Sequence, residues 1–186
     1  MRAIVGVALL LAAAVPAVAQ TPVALDRFNQ IALEGGGSVT LRHGAEQRVT
    51  LVRGDPEMTR FSVERGRLTI DACVRSCSDY ELEVEIVLPS FDAVSVEGGG
   101  VVRAERGFAD PGSLAAAVSG GGLVDVAAVD AGTVAASVQG GGVLRTRARE
   151  SLSASINGGG SIAYWGDPRI VSSVNGGGSI RRGGTR

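Results

Sequence analysis

Ser155-Ile156-Asn157-Gly158-Gly159-Gly160-Ser161-Ile162 is followed, eighteen residues on, by Ser173-Val174-Asn175-Gly176-Gly177-Gly178-Ser179-Ile180. The same frame occurs six times, with glycine triplets starting at Gly35, Gly98, Gly120, Gly140, Gly158 and Gly176. The last five are 22, 20, 18 and 18 residues apart, a period that marks stacked repeats. An apolar residue stands two positions before every triplet: Leu33, Val96, Val118, Val138, Ile156 and Val174. Another stands two positions after it: Val39, Val102, Val124, Leu144, Ile162 and Ile180. Four positions before the triplet come Ile31, Val94, Ala116, Ala136, Ala154 and Ser172. This is period-two patterning, so a half-buried strand is predicted on each side of each triplet.

Glycine suits a corner between such strands, because it accepts positive φ and lets one backbone lie against the next. One repeat cannot bury its own apolar face, so several must stack. The fold expected is all-β: a β-solenoid, or single-stranded β-helix-like coil, with about 18–22 residues per rung over Ser90 to Ile180. The segment Phe28 to Pro89 is expected to be strand-rich but irregular, either as N-terminal rungs of the coil with a cap or as a separate cap. Strands are predicted at Arg48–Val52, Arg60–Glu64, Arg67–Ala72 and Tyr80–Leu88, with turns at Arg65-Gly66 and at Gly54-Asp55-Pro56.

The 186 residues open on Met1-Arg2, an apolar run from Ala3 to Val15, and Pro16-Ala17-Val18-Ala19 before Gln20. That pattern predicts a signal peptide over 1–19, a solenoid domain over 20–182 and a short disordered tail over 183–186. An exported chain meets an oxidising compartment, so Cys73 and Cys77 are expected to form a disulfide. The net charge of −1 gives no electrostatic footprint for nucleic acid. No apolar run in the mature part is long enough to span a bilayer.

The glycine triplets are not phosphate loops: the chain has no lysine, and strands rather than helices follow each triplet. Asp125 lies after only one triplet, where Arg145, Ala163 and Arg181 stand in other repeats, so no calcium-binding repeat and no metal site is expected. His43 is the single histidine, without a partner nucleophile, and reads as a surface residue. Glu81, Glu83 and Glu85 alternate with Leu82, Val84 and Ile86, the solvated face of a half-buried strand. No cofactor site is expected. Arg145, Arg147 and Arg149 form a basic stripe that could grip an anionic polysaccharide or headgroup, or pair with acids on a neighbouring rung. Asn157 and Asn175, one repeat apart, are placed to form a stacked amide ladder.

Ser155–Ile162, Tyr164-Trp165-Gly166-Asp167-Pro168 and Ser173–Ile180 together resemble the C-terminal signature of the head GIN domain family, the auto-transporter adhesin heads. Gly66-Arg67-Leu68-Thr69-Ile70 and Val87-Leu88-Pro89-Ser90-Phe91 through Gly100 are similar to its short strand and middle segment. The resemblance spans about Phe28 to Arg181 and implies an exported bacterial β-helix-like domain with no catalytic residues to carry over. No C-terminal membrane barrel is read here, so a periplasmic or cell-surface module is expected rather than a self-translocating one. The expected role is non-catalytic binding of a protein or polysaccharide at the cell envelope, with self-association at exposed strand edges. The alternatives are a glycan-active β-helix enzyme, lyase or hydrolase, and a structural component of envelope stress.

Overall fold

The computed structural model describes residues 21–75 and 80–184. The predicted signal peptide, Cys77 and the last two tail residues lie outside them. The fold is all-β, with no helix among the described residues. Its strands are β1 (Thr21–Val23), β2 (Gln30–Gly35), β3 (Ser38–His43), β4 (Arg48–Arg53), β5 (Arg60–Glu64), β6 (Arg67–Asp71), β7 (Glu83–Leu88) and β8 (Ala93–Gly98). They continue as β9 (Val101–Ala104), β10 (Ser113–Gly120), β11 (Leu123–Asp125), β12 (Ala131–Gly140), β13 (Val143–Asn157), β14 (Ser161–Trp165), β15 (Arg169–Asn175) and β16 (Ser179–Arg182).

These strands build two ladders with the core between them. One runs β5-β6-β2-β8-β10-β12-β13-β15; the other runs β1-β4-β7-β3-β9-β11-β13-β14-β16. The sheet is not closed. Strand β13 belongs to both ladders: its first part pairs with β11 and β14, and its second with β12 and β15. Every strand from β8 onward pairs in parallel with its neighbours, residue on equivalent residue. Val96, Val118, Val138 and Ile156 therefore stack in one column, each at most 2 % exposed. On the other ladder, Val102, Val124, Leu144 and Ile162 form the facing column at 0 %.

The triplets carry the chain from the first ladder to the second, and they are stacked on one another. The amide of Gly141 donates to the Gly120 carbonyl at 3.0 Å, and Val143 to Gly122 at 2.9 Å. The three glycines have different reasons to be there. Gly140 has φ +104°, and a Cβ on it would lie 2.8 Å from the Gly120 carbonyl oxygen. A Cβ on Gly142 would lie 2.3 Å from Val118 Cγ1 of the preceding layer. A Cβ on Gly141 would meet nothing within 4 Å.

The N-terminal segment contributes layers to the same stack as well as its antiparallel end. Strands β2 and β3 stack in register on β8 and β9, Leu33 on Val96 and Val39 on Val102. The first triplet, 63 residues earlier in the chain, lies directly against the second: Gly99 donates to the Gly35 carbonyl at 3.0 Å and Val101 to that of Gly37 at 2.9 Å. On the far side of β2–β3 lies a layer made of β6 and β7. It has no triplet. On either side of its corner, Ala72 donates to the Glu34 carbonyl and Ser38 to that of Leu82. The spatial order therefore differs from chain order, because β2–β3 is inserted between β6–β7 and β8–β9. Sequence periodicity cannot report this, since the β6–β7 layer lacks the marker that defines the others.

Antiparallel strands finish that end. β5 closes one ladder through a hairpin with β6, turning at Arg65 (φ 51°) and Gly66 (φ 78°) as expected for that pair. β4 and β1 close the other. At the opposite end, β15 and β16 are the outermost strands, and all seven residues of β15 are exposed. Gly183 of the expected tail donates to the Tyr164 carbonyl at 2.8 Å, and the Trp165 indole donates to that of Gly184 at 2.7 Å.

Among the described residues two polar side chains are buried, Thr59, whose hydroxyl is hydrogen-bonded to that of Tyr80 at 2.6 Å, and Thr146. Thr146 is 0 % exposed and its Oγ1 has no hydrogen-bond partner. A buried hydroxyl left unpaired costs about 1–3 kcal/mol. Thr146→Val keeps the shape and removes that cost, so it is expected to raise unfolding free energy by about 1 kcal/mol in a urea titration.

Candidate interaction surface

Two outward faces result from the ladders, and their chemistry differs. Alternate residues on the first ladder point away from the core: Ala93 and Ser95, Ala115 and Ala117, Ala135 and Ser137, Ser153 and Ser155. They form a shallow, uncharged groove of about 250 Å³ with Arg67 at its rim. Small side chains here leave the backbone ladder close to the surface and supply no charged group along the groove floor.

The second ladder carries the charge. Strand register sets Arg103 beside Asp125, and Asp125 beside Arg145. Arg145 reaches Asp125 at 3.3 Å. Arg149 pairs with Asp110, and its Nε lies 3.9 Å from Asp130. Arg147 is held differently: its Nε donates to the Ala127 carbonyl at 3.3 Å. The stripe of Arg145, Arg147 and Arg149 is therefore laced to acids and a carbonyl of neighbouring layers. Such partly exposed pairs contribute little stability, typically about 0–1 kcal/mol each. Asp125→Asn is accordingly expected to lower unfolding free energy by less than about 1 kcal/mol.

Arg147 also lines a cleft of about 330 Å³ with Arg106, Ala127, Ala128 and Asp130. Two guanidinium groups and one carboxylate around a small open cleft can bind a polar, partly anionic group through charge-assisted hydrogen bonds. The sequence reading missed Arg106 and Asp130, which are far from Arg147 along the chain. The available signal was the repeat length: Asp125 and Arg145 are 20 residues apart, as are Asp110 and Asp130. Residues one repeat apart become neighbours across layers.

The remaining candidates are dispersed. Glu85 pairs with Arg42 at 2.6 Å, and Arg42 also reaches Glu105 at 3.2 Å. Glu81 pairs with Arg53 at 2.9 Å, while Glu83 is exposed at the start of β7. The three glutamates thus do not converge on a cleft. His43 lies at the end of β3, edge-on to Phe108 with ring centroids 5.7 Å apart. Among the described residues no group of three or more His, Cys, Asp or Glu is placed to hold a metal ion. Among the same residues no helix is long and apolar enough to cross a membrane. Asn157 and Asn175 stack in register, but neither side-chain amide makes a hydrogen bond among the described residues, so the expected amide ladder is absent. The Asn175 backbone carbonyl instead accepts from Gly158 at 2.8 Å.

A solved putative adhesin from Bacteroides fragilis has a TM-score of 0.50 at 19% identity, covering 88% of this chain and 95% of its own. A putative adhesin from Parabacteroides merdae covers 89% of this chain and 96% of its own, with a TM-score of 0.39 at 14% identity. A putative cell adhesion protein from Clostridium sporogenes covers 88% and 97%, with a TM-score of 0.39 at 11% identity. No curated protein matches the chain. The family described as "Putative auto-transporter adhesin, head GIN domain" matches residues 27–111 and 110–168. The chain belongs to the head GIN domain family.

Proposed function

We propose that this protein is an exported, non-catalytic β-solenoid module that binds a glycan or protein partner at the cell envelope. The observation that carries the reading is the contrast between the two faces. One is a shallow groove with no charged group on its floor; the other holds the Arg106–Asp130–Arg147 cleft within a charged ladder. Stacked layers present such groups in fixed rows, which suits an extended partner. Glu81, Glu83 and Glu85, the carboxylates a hydrolase or lyase would have to bring into one groove, do not converge: Glu85 pairs with Arg42 and Glu81 with Arg53.

The adhesin description of the family supports an external partner. Export is proposed from the leader pattern at 1–19, and N-terminal sequencing of the secreted product is expected to start at Gln20. A bond between Cys73 and Cys77 belongs to the same reading; alkylation of unreduced protein is expected to label neither cysteine.

The binding test uses an array of envelope polysaccharides and glycans together with capture of envelope proteins. Replacing both Arg106 and Arg147 with alanine is expected to weaken binding at least tenfold without changing thermal stability. Unaltered binding would remove the cleft from the account. Turnover of a polysaccharide by the purified protein would replace the reading with an enzymatic one.

A further inference from the structure

The two ends of the stack are finished in different ways. At one end the outermost strands are β1 and β5, both short, and β1 carries Pro22 while Arg60 and Glu64 flank β5. Short strands, proline and charge are the features that keep a sheet edge from pairing with another chain. At the other end β16 is likewise short and carries Arg181 and Arg182, but β15 is charged only at its first residue, Arg169. β15 is a seven-residue edge, with Ile170 at 41 % exposure, Val171 at 74 % and Val174 at 44 %. One layer below, the residues in register with Ile170 and Val174 are Leu152 and Ile156, which are 1 % and 2 % exposed. What separates the two situations is the presence of a covering layer.

We propose that the end formed by β15 and β16 docks a second copy of this chain, tail to tail, about a two-fold axis passing by Ser172. The sequence of β15 is self-complementary in that arrangement. Antiparallel pairing about Ser172 sets Ile170 opposite Val174 of the second copy, Val171 opposite Ser173, and Arg169 opposite Asn175. Apolar inward residues then meet apolar inward residues, and a slip of one residue would send them to the wrong face. Charge along β15 is compatible as well. Each Arg169 lies over the other copy's uncharged asparagine and glycine corner, so the basic ends are not opposed. Head-to-tail growth is disfavoured because the capped end offers no matching edge, so the assembly closes as a dimer.

The area fits a reversible complex. A seven-residue strand is about 23 Å long, and two ladders about 10 Å apart give an end face roughly 20 Å deep with its side chains. Doubling that face gives about 900 Å² in total, below the size of stable interfaces and in the range of weak, transient ones. Dissociation in the micromolar range is therefore expected, with edge-strand hydrogen bonds adding to the apolar contact.

The test is sedimentation equilibrium on the purified protein from about 1 to about 200 µM, where micromolar dissociation would be visible. A concentration-dependent monomer–dimer equilibrium is expected. Ser172→Lys sets two ammonium groups against each other at the axis and should weaken the dimer at least tenfold. Its circular dichroism and Tm should not change, because Ser172 is exposed in a single copy. In a Cys73→Ser/Cys77→Ser background, Ser172→Cys should form a covalent dimer on mild oxidation. A protein that stays monomeric throughout, a dimer indifferent to Ser172→Lys, or failure of Ser172→Cys to crosslink would each overturn the proposal.

Discussion

Alanine at Gly140 or Gly142 is expected to destabilise the protein by about 3 kcal/mol or more, while alanine at Gly141 leaves stability within about 1 kcal/mol of wild type. The three neighbours have the same chemistry and differ only in what surrounds them. At Gly140, φ of +104° is unfavourable for any L side chain, and the new methyl would press on the Gly120 carbonyl, which is backbone and already accepts a hydrogen bond. At Gly142 the methyl would overlap Val118 Cγ1 in the layer below. That valine is 1 % exposed and packed in the core column, so it has little room to move. At Gly141 the methyl enters open space, and the loss of unfolded-state freedom can offset any small cost. Urea unfolding of the three variants separates a requirement for glycine at stacked corners from a general preference for flexible loops. A loop preference would make the three variants equal.

Leu33→Ala is expected to cost about 2–5 kcal/mol, whereas Val174→Ala costs less than about 1 kcal/mol. Both residues stand two positions before a triplet and are indistinguishable by pattern. Leu33 is 0 % exposed because β2 has β6 on one side and β8 on the other. Removing its side chain leaves a cavity bounded on both sides. Val174 is 44 % exposed because β15 has a layer on one side only. The difference should be measured at low protein concentration, where a second copy is not bound. Equal effects would mean that the N-terminal strand is peripheral and that the stack begins at β8.

Much of the C-terminal half was legible from residue pattern. The apolar columns at Val96, Val118, Val138 and Ile156 were set by their spacing from the triplets, and parallel register follows when equal repeats stack. The N-terminal half was harder to read for a physical reason. The sequence between β6 and β7 contains no glycine, so the membership of that layer in the stack leaves no periodic trace. Local alternation still located β7, with Leu82, Val84 and Ile86 buried and the glutamates outward. What alternation cannot supply is the neighbour of a strand. For the same reason the arginine stripe was visible while its partners were not: Arg145, Arg147 and Arg149 are adjacent in sequence, but Asp110, Asp130 and Arg106 reach them only through stacking.

The most direct test is a pair of engineered disulfides in a Cys73→Ser/Cys77→Ser background. Gly36 and Gly99 have no atom within 4 Å of a built Cβ, and their triplets are stacked in register. Neighbouring layers are about 4.8 Å apart, within disulfide range, and alternate layers are about 9.6 Å apart, beyond it. Gly36→Cys with Gly99→Cys should therefore oxidise to a single intramolecular bond in the folded protein, seen by peptide mass mapping. Gly36→Cys with Gly121→Cys should remain as free thiols. Free thiols in the first pair, or a bond in the second, would contradict the interleaved order of layers on which the account rests.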